Sequence, residues 1–471
     1  MRYTLDEIHR MHIQASKRND VKTLKKCEGL YMQILDQVPD NWTVIFLLSG
    51  IYLATGRNGL AIAMLNRAAA LKPDCAEIFN NLGTAYKRQF RHDEAERAFQ
   101  RAIDINPDDT DHWNNMGTLH INEGSPEKGV PLFERAIELA PDNIHAHWNL
   151  SLALLELGEY ERGFKEYAWG LKSENRQHRT YGAPDWDGSH VGTLVVYGEQ
   201  GIGDEIMFAS LINEAKQRCD RLIIDCHPRL VGLFSRSFGV ECHGTRKKTV
   251  TPWAADIQID AACPIGGLAQ FFRRSIDDFP CTPYLTHDEA RASTIKKRLD
   301  GLPRGLNIGI GWIGGKHETR TTARSMTLDD MTPMLQLPNI NWVSLQYTPE
   351  AAEEVAEYEK RTGLKIHHWP EIINAEDYDE TAALVSALDL VICVNTSAVH
   401  LCGALGQPCW TMTPVRKAWR YYSPDGSRMA WYGSVVQFEQ ERDGDWSGVI
   451  DRIVGELLDV MSPAKVGAEA C

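Results

Sequence analysis

Residues 76–109 read AEIFNNLGTAYKRQFRHDEAERAFQRAIDINPDD. The apolar spacing is helical on both sides of a polar turn: Leu82 and Tyr86 lie one turn apart, as do Ala95, Phe99 and Ala102. Gly83 and Ala95 are small where two helices would cross closely, while Leu82, Tyr86 and Phe99 fill the space between them. Pro107 cannot continue the second helix and ends the unit. The pattern recurs at a step of 34 residues, in Pro39, Pro73, Pro107 and Pro141, in Ala68, Ala102 and Ala136, and in Leu48, Leu82, Met116 and Leu150. A fixed step of this size marks stacked helical hairpins.

The arrangement Leu82-Gly83, Tyr86, Ala95, Phe99, Ala102, Pro107 resembles the tetratricopeptide pattern. Full repeats are expected at 42–75, 76–109 and 110–143. Degenerate ones at about 8–41 and 144–172 would cap the stack. Asn81, Asn115 and Asn149 share one position, on the first helix of each repeat. Such a row could pair with the backbone of an extended peptide, since Asn both donates and accepts. It reads equally as a consensus residue with local hydrogen bonds, and Leu47 interrupts the row. Trp113, His145, His147 and Trp148 add contact area on one reading and inter-helix packing on the other.

After Leu171 comes the polar stretch KSENRQHRTYGAPDWDGSH, and then short apolar strands alternate with helices. One series starts at TLVVY and runs through RLIIDCH, VECHG and DIQID. A second starts at NIGIGWIG and runs through NWVSLQY, LVICVN and PCWTMTP. Such alternation implies parallel sheets covered by helices, here as two Rossmann-like domains facing a cleft. The loop of the first series, VVYGEQGIGDEIMF (Val195–Phe208), resembles a phosphate cradle without being one. From Gly201 and Gly203 the third glycine of a dinucleotide fingerprint would be Ile206, no Gly-Lys-Ser/Thr follows, and Asp204 and Glu205 open the helix. The second series has the better anion site. Asn395-Thr396-Ser397 follows a strand and opens a helix through His400, so Thr396 and Ser397 would cap it and bind an anion beside its free N–H groups. His400 would orient the bound ligand or pack beneath the loop.

The stretches VYGEQGIGDEIMFASLI, IGIGWIGGKHETRTTARSM, TAALVSALDLVICVNTSAVHLCGALGQPCW and Trp186–Gly188 resemble the tetratricopeptide-containing bacterial glycosyltransferases. These are related to glycosyltransferase family 9, the heptosyltransferases, and are similar in architecture to the O-GlcNAc transferases. The resemblance implies a GT-B fold and an inverting, metal-independent transfer from a nucleotide sugar of UDP, ADP or CMP type. It implies a protein acceptor modified on Ser/Thr, with flagellin or another surface protein as the example. Carried over by position, Asp204 is the catalytic base. Asn395 to His400 is the donor loop, with Asn395 standing where relatives have Asp. Lys316, Arg320 and Arg324 are the basic residues after the first strand of the second half.

The chemistry of the residues agrees with that assignment. Transfer to a hydroxyl needs a base and a stabiliser for the leaving phosphate. Glu199 rivals Asp204 as the base, and the start of a helix suits the Asp204 carboxylate. Arg420, in AWRYY, is a donor-binding candidate or packs on Trp419 and Tyr421. Asp185-Trp186-Asp187 and Asp109-Thr110-Asp111 read as turn acids, so no metal or other cofactor is expected.

A chain of 471 residues implies two to four domains. The full expectation is an α-solenoid at 1–172 and a linker at 173–190, then a GT-B pair with its acceptor half at 191–283, linker 284–304 and donor half at 305–438. A crossing helix and tail occupy 439–471. The net charge of −14 argues against general binding to nucleic acid or anionic membrane. The polar N-terminus MRYTLDEIHRMHIQ has no apolar signal segment, and the eleven cysteines include no Cys-x-x-Cys pair. Reduced thiols and a cytoplasmic location are the expectation. Two other readings stand beside protein glycosylation: a heptosyltransferase-like enzyme acting on a saccharide or lipid-linked acceptor, and a non-catalytic repeat scaffold.

Overall fold

The computed structural model describes residues 3–173, 175–246, 251–315, 324–373, 376–423, 426 and 428–462, and the statements below concern these residues. The chain divides into two compact units, Met1–Leu154 and Leu155–Cys471.

The first unit is helical. α1 (Leu5–Lys17) packs on α2 (Val21–Gln37), α3 (Trp42–Ala54) on α4 (Asn58–Leu71), α5 (Ala76–Arg88) on α6 (His92–Ile105), and α7 (Thr110–Asn122) on α8 (Pro126–Leu139). The division between the units falls inside α9 (Ile144–Glu156), and α10 (Tyr160–Tyr167) follows. Within the 76–109 repeat, a Cβ on Gly83 would lie 2.6 Å from the Phe99 ring, so glycine is what lets α5 and α6 cross there. The repeat prolines have a second function. The indole N–H of Trp113 donates to the carbonyl of Pro107 at 2.8 Å. One repeat later, His147 Nε2 meets the carbonyl of Pro141 at 2.9 Å, and since a carbonyl only accepts, that nitrogen carries the proton.

The second unit is α/β with two sheets. The smaller contains β1 (Val191–Tyr197), β2 (Cys219–Asp225), β3 (Glu241–His243) and β4 (Ala261–Pro264), all parallel, in the order β3-β2-β1-β4. Its helices are α11 (Ile202–Phe208), α12 (Ile212–Lys216), α13 (Val231–Phe238), α14 (Ala269–Phe272) and α15 (Glu289–Asp300). Two expectations shift here. The stretch DIQID is not a strand: pairing with β1 begins at Ala261, after Asp260 has turned its carboxylate onto the N–H of Thr193 at 2.7 Å. The helix that Asp204 and Glu205 open does not run unbroken through the apolar pattern of EIMFASLINEAKQRC: a 3-10 turn at Ala209–Leu211 interrupts it. The polar stretch before β1 is anchored from below. Asp225, fully buried at the end of β2, accepts from Arg179 (2.7 Å), Tyr181 (2.9 Å) and the N–H and hydroxyl of Thr245 (2.8 and 2.7 Å).

The larger sheet has the order β10-β11-β9-β8-β5-β6-β7 and is parallel except for the β10–β11 pair. In chain order its elements are β5 (Leu306–Gly311), α16 (Thr332–Leu335), β6 (Ile340–Ser344), α17 (Ala351–Thr362), β7 (Ile366–His368), α18 (Pro370–Ile373), α19 (Asp379–Ala387), β8 (Leu390–Val394), α20 (Ser397–Leu405), β9 (Cys409–Thr413), β10 (Arg428–Met429), β11 (Tyr432–Glu439) and α21 (Ser447–Met461). One face carries Ile308, Ile310, Ile392, Val394, Met412 and Phe438 into a core closed by Val449, Ile450 and Ile453 of α21. The opposite face is polar at its carboxyl end, where the hydroxyl of Thr411 donates to Asn395 Oδ1 at 2.9 Å.

Candidate functional site

Each sheet has one point where the strand order reverses, between β1 and β4 in the smaller and between β5 and β8 in the larger. Loops leaving the carboxyl ends of strands diverge at such points and open a crevice for a ligand. The loop after β1 is Gly198–Gly201, and the loop after β8 is Asn395–Thr396. Both motifs that stood out in the sequence therefore lie at switch points, and the fold turns them toward each other. A Cβ on Gly203 would lie 3.1 Å from the His400 ring and 3.4 Å from the Ser397 backbone, so glycine is what allows α11 and α20 to begin side by side.

On the α11 side, Asp204 occupies the third helical position and accepts the N–H of Gly201 at 3.2 Å. Its other oxygen receives Nε of Arg420, which comes from the 3-10 turn Trp419–Tyr421 next to the larger sheet. Arg420 also lies 4.9 Å from the Trp419 ring centroid, so it packs on that ring as well as pairing with Asp204. Asp204 and Arg420 are both about one-fifth exposed. Glu199, the rival acid, turns the other way. It accepts from Arg176 at 2.9 Å and from the N–H of Gly266 at 3.2 Å, and the Glu199 and Arg176 side chains are both 0% exposed. Burial raises the Glu199 pKa. A carboxylate enclosed in this way has no face toward a substrate.

Glu205, beside Asp204 in α11, is fully buried. It accepts the N–H of His227 at 2.8 Å and pairs with Arg246, tying together the loops that follow β1, β2 and β3. Burial outweighs that pairing and pushes its pKa up to about 7.

On the α20 side, Thr396 is the N-cap, and its hydroxyl accepts the N–H of Ala398 at 3.3 Å. Ser397 shares a hydrogen bond of 2.9 Å with the Tyr378 hydroxyl. Asn395 is buried, held by Thr411, and its amide nitrogen has no partner among the described residues. His400 lies 3.1 Å through Nδ1 from the Tyr432 hydroxyl, and burial lowers its pKa to about 4, so it is neutral at ordinary pH. The loop after β5 joins this group. A Cβ on Gly314 would lie 3.1 Å from the carbonyls of both Arg324 and Asn395, which places the Arg324 backbone beside the Asn395–Thr396 loop. Burial lowers the pKa of Arg324. Lys316 and Arg320 lie outside the described residues.

Sequence reasoning missed Tyr378, Tyr432 and Arg229, whose guanidinium lies 5.1 Å from the centroid of the Tyr378 ring. Only Arg229 carried a signal: with Pro228 it follows the carboxyl end of β2, where ligand-binding loops emerge.

In the repeats, Asn115 Nδ2 donates to Asn80 Oδ1 at 3.0 Å, and Asn149 Nδ2 donates to Asn114 Oδ1 at 2.9 Å. Two of the three ladder residues thus tie one repeat to the preceding one. Asn81 has Phe46 where its successors find an Asn. The acids read as turn residues behave so: Asp109 caps α7 through the N–H of Asp111, and Asp187 accepts the N–H and hydroxyl of Ser189.

Family models describe the helical part of the chain as "Tetratricopeptide repeat" over residues 76–109 and again over 114–168, and as "TPR repeat" over 51–89. The repeats are tetratricopeptide repeats. Repeats of this kind suggest interaction with other proteins. Among curated proteins, FlbA of Caulobacter vibrioides is 29% identical over 328 residues, covering 65% of this chain and 54% of FlbA. The chain therefore spans about half the length of that relative. Among solved structures, MamA is 24% identical with a TM-score of 0.30, covering 33% of this chain and 91% of MamA. YrrB, described as a TPR protein with an unusual peptide-binding site, is 19% identical with a TM-score of 0.29, covering 35% and 84%. PilF of Pseudomonas aeruginosa is 15% identical with a TM-score of 0.34, covering 45% and 86%. Among the described residues, no helix is long and apolar enough to cross a membrane.

Proposed function

We propose that the second unit is an inverting, metal-independent glycosyltransferase of GT-B architecture. It moves a sugar from a nucleotide-sugar donor to a Ser or Thr hydroxyl of a protein bound by the repeats. The observation that carries this reading is the Asp204–Arg420 pair, which joins the helix start at one switch point to the 3-10 turn that follows β9. A base and an anion site belong together in glycosyl transfer, where one group takes a proton while a phosphate leaves.

The acceptor hydroxyl loses its proton to Asp204 as its oxygen bonds to the anomeric carbon. The bond from that carbon to the phosphate oxygen breaks, and the nucleotide leaves with the electron pair. Its negative charge falls on the free N–H groups of α20, the hydroxyls of Thr396 and Ser397, and the guanidinium groups of Arg324 and Arg420. The phosphate competes for Arg420, so donor binding frees Asp204 for the acceptor. Neutral His400 orients the donor from beneath the loop. The resemblance of the sequence to family 9 supports these assignments, and flagellin as the acceptor rests on that resemblance alone.

The test is nucleotide release from a panel of UDP-, ADP- and CMP-sugars by the purified full chain and its Asp204→Asn variant. One donor is turned over, and the variant is slower by about 10²–10⁴-fold, the scale of general-base loss. Turnover of no donor sinks the enzyme reading and leaves the scaffold.

A further inference from the structure

Tyr167, the last residue of α10, falls within the stretch 144–172 expected to cap the repeats, yet it belongs to the second unit and is buried there. Its hydroxyl donates to Gln200 Oε1 at 2.7 Å, in the loop after β1. Burial pushes its pKa up to about 12, so the hydroxyl keeps its proton at ordinary pH. The same tyrosine reaches the neighbouring Glu199 through Arg176. That guanidinium donates to the Tyr167 carbonyl at 2.8 Å, lies 4.3 Å from the centroid of the Tyr167 ring, and pairs with Glu199 at 2.9 Å. Two consecutive side chains of the Gly198–Gly201 loop are therefore held from one point. The loop ends at Gly201, the N-cap of α11, whose N–H donates to Asp204.

The Tyr167 ring also packs edge-on against Trp419, with centroids 5.8 Å apart. Trp419 precedes Arg420 in the 3-10 turn that meets Asp204. Phe164, one turn earlier in α10, packs on Trp419 at 5.9 Å and on Phe208 of α11 at 6.5 Å. Tyr167 thus touches the neighbours of both members of the Asp204–Arg420 pair while belonging to neither sheet. Reacting groups keep their geometry only where such supports lock them. We propose that Tyr167 is a positioning residue for the transfer: it holds the loop leading to Asp204 against the turn that carries Arg420. This inference rests on the proposed glycosyl transfer. The groups expected to bind the donor have holds of their own, Asn395 on Thr411 and Ser397 on Tyr378, so loss of the Tyr167 hydroxyl falls on turnover and not on donor affinity.

Steady-state nucleotide release by the full chain tests it, with UDP-N-acetylglucosamine, ADP-glucose and CMP-N-acetylneuraminic acid as donors. Tyr167→Phe keeps the ring and removes the hydroxyl. It lowers kcat by about 10- to 100-fold, the scale that a small misplacement of reacting groups produces, while donor KM stays within about twofold. Gln200→Ala breaks the same bond from a half-buried position and gives the same loss, which guards against an unstable tyrosine variant. The double variant is no slower than the slower single one, because both changes remove one tie. Tyr160→Phe controls for the loss of a buried phenol from the same helix: its hydroxyl has no partner among the described residues, and its kinetics match the wild type. Wild-type kcat in Tyr167→Phe, or losses that add in the double variant, overturn the role of Tyr167. An equal fall in Tyr160→Phe assigns the effect to packing and overturns it too. A wild type that turns over none of the donors overturns the transfer reading along with it.

Discussion

Asp204 and Arg420 were expected on opposite substrates, one as base and the other as donor ligand, and the structure pairs them directly. Their meeting follows from residues a chain apart in sequence, so no spacing rule could reveal it. Two other buried groups make a test at the same scale. His400 has its pKa lowered from 6.5 to about 4, so the unfolded chain binds the extra proton and His400 favours folding progressively as pH rises through that window. Glu205 has its pKa raised from 4.5 to about 7, so the folded chain holds the extra proton and Glu205 costs stability as pH rises through its own window. Each shift corresponds to roughly 3 kcal/mol, with opposite signs. Relative to wild type, Glu205→Gln gains stability between pH 5 and pH 8, whereas His400→Gln loses it. Urea midpoints at the two pH values decide this, and parallel shifts of both variants would refute it.

At the level of elements, what could be read was what local chemistry controls. The 34-residue step shows helix pairs because each proline, glycine and alanine has a local reason to recur. Thr396 caps α20 because a Thr ending a strand and opening a helix has that preference wherever it stands. β11 was not anticipated, since YGSVVQFE takes its strand character from pairing with β9 and β10. The break between α11 and α12 also escaped, because the apolar pattern runs through it. Two glycines in the repeats separate local preference from packing. Gly29 in α2 is exposed, and an added Cβ would meet nothing within 4 Å, so Gly29→Ala stabilises the fold by about 1 kcal/mol of helix propensity and raises the melting temperature. Gly83→Ala gains the same propensity but drives a methyl into the buried Phe99 ring, and overpacking of about 1–3 kcal/mol gives a net loss. Thermal melts of the two variants should move in opposite directions.

At the scale of the molecule, the sequence carried the order of repeats before parallel sheets, and the loops where chemistry would sit. It could not carry Arg229, Tyr378 or Tyr432, because their roles exist only once two sheets are folded against each other. Nor could it show that Asn115 and Asn149 spend one amide hydrogen on a preceding repeat, leaving fewer groups for a peptide. If the Asn row still reads a bound chain, replacing Asn81, Asn115 and Asn149 with Ala raises KM for the protein acceptor and leaves donor hydrolysis unchanged. Unchanged acceptor kinetics would assign those residues to repeat stacking alone. The central claim is that the second unit glycosylates a protein and that Asp204 performs the chemistry. Intact-mass analysis of a candidate acceptor, flagellin first, after co-expression with the wild-type chain or with Asp204→Asn tests it most directly. The expected result is a defined sugar increment with the wild type that is lost with the variant. An acceptor with the same mass in both cases, with or without sugar, would contradict it.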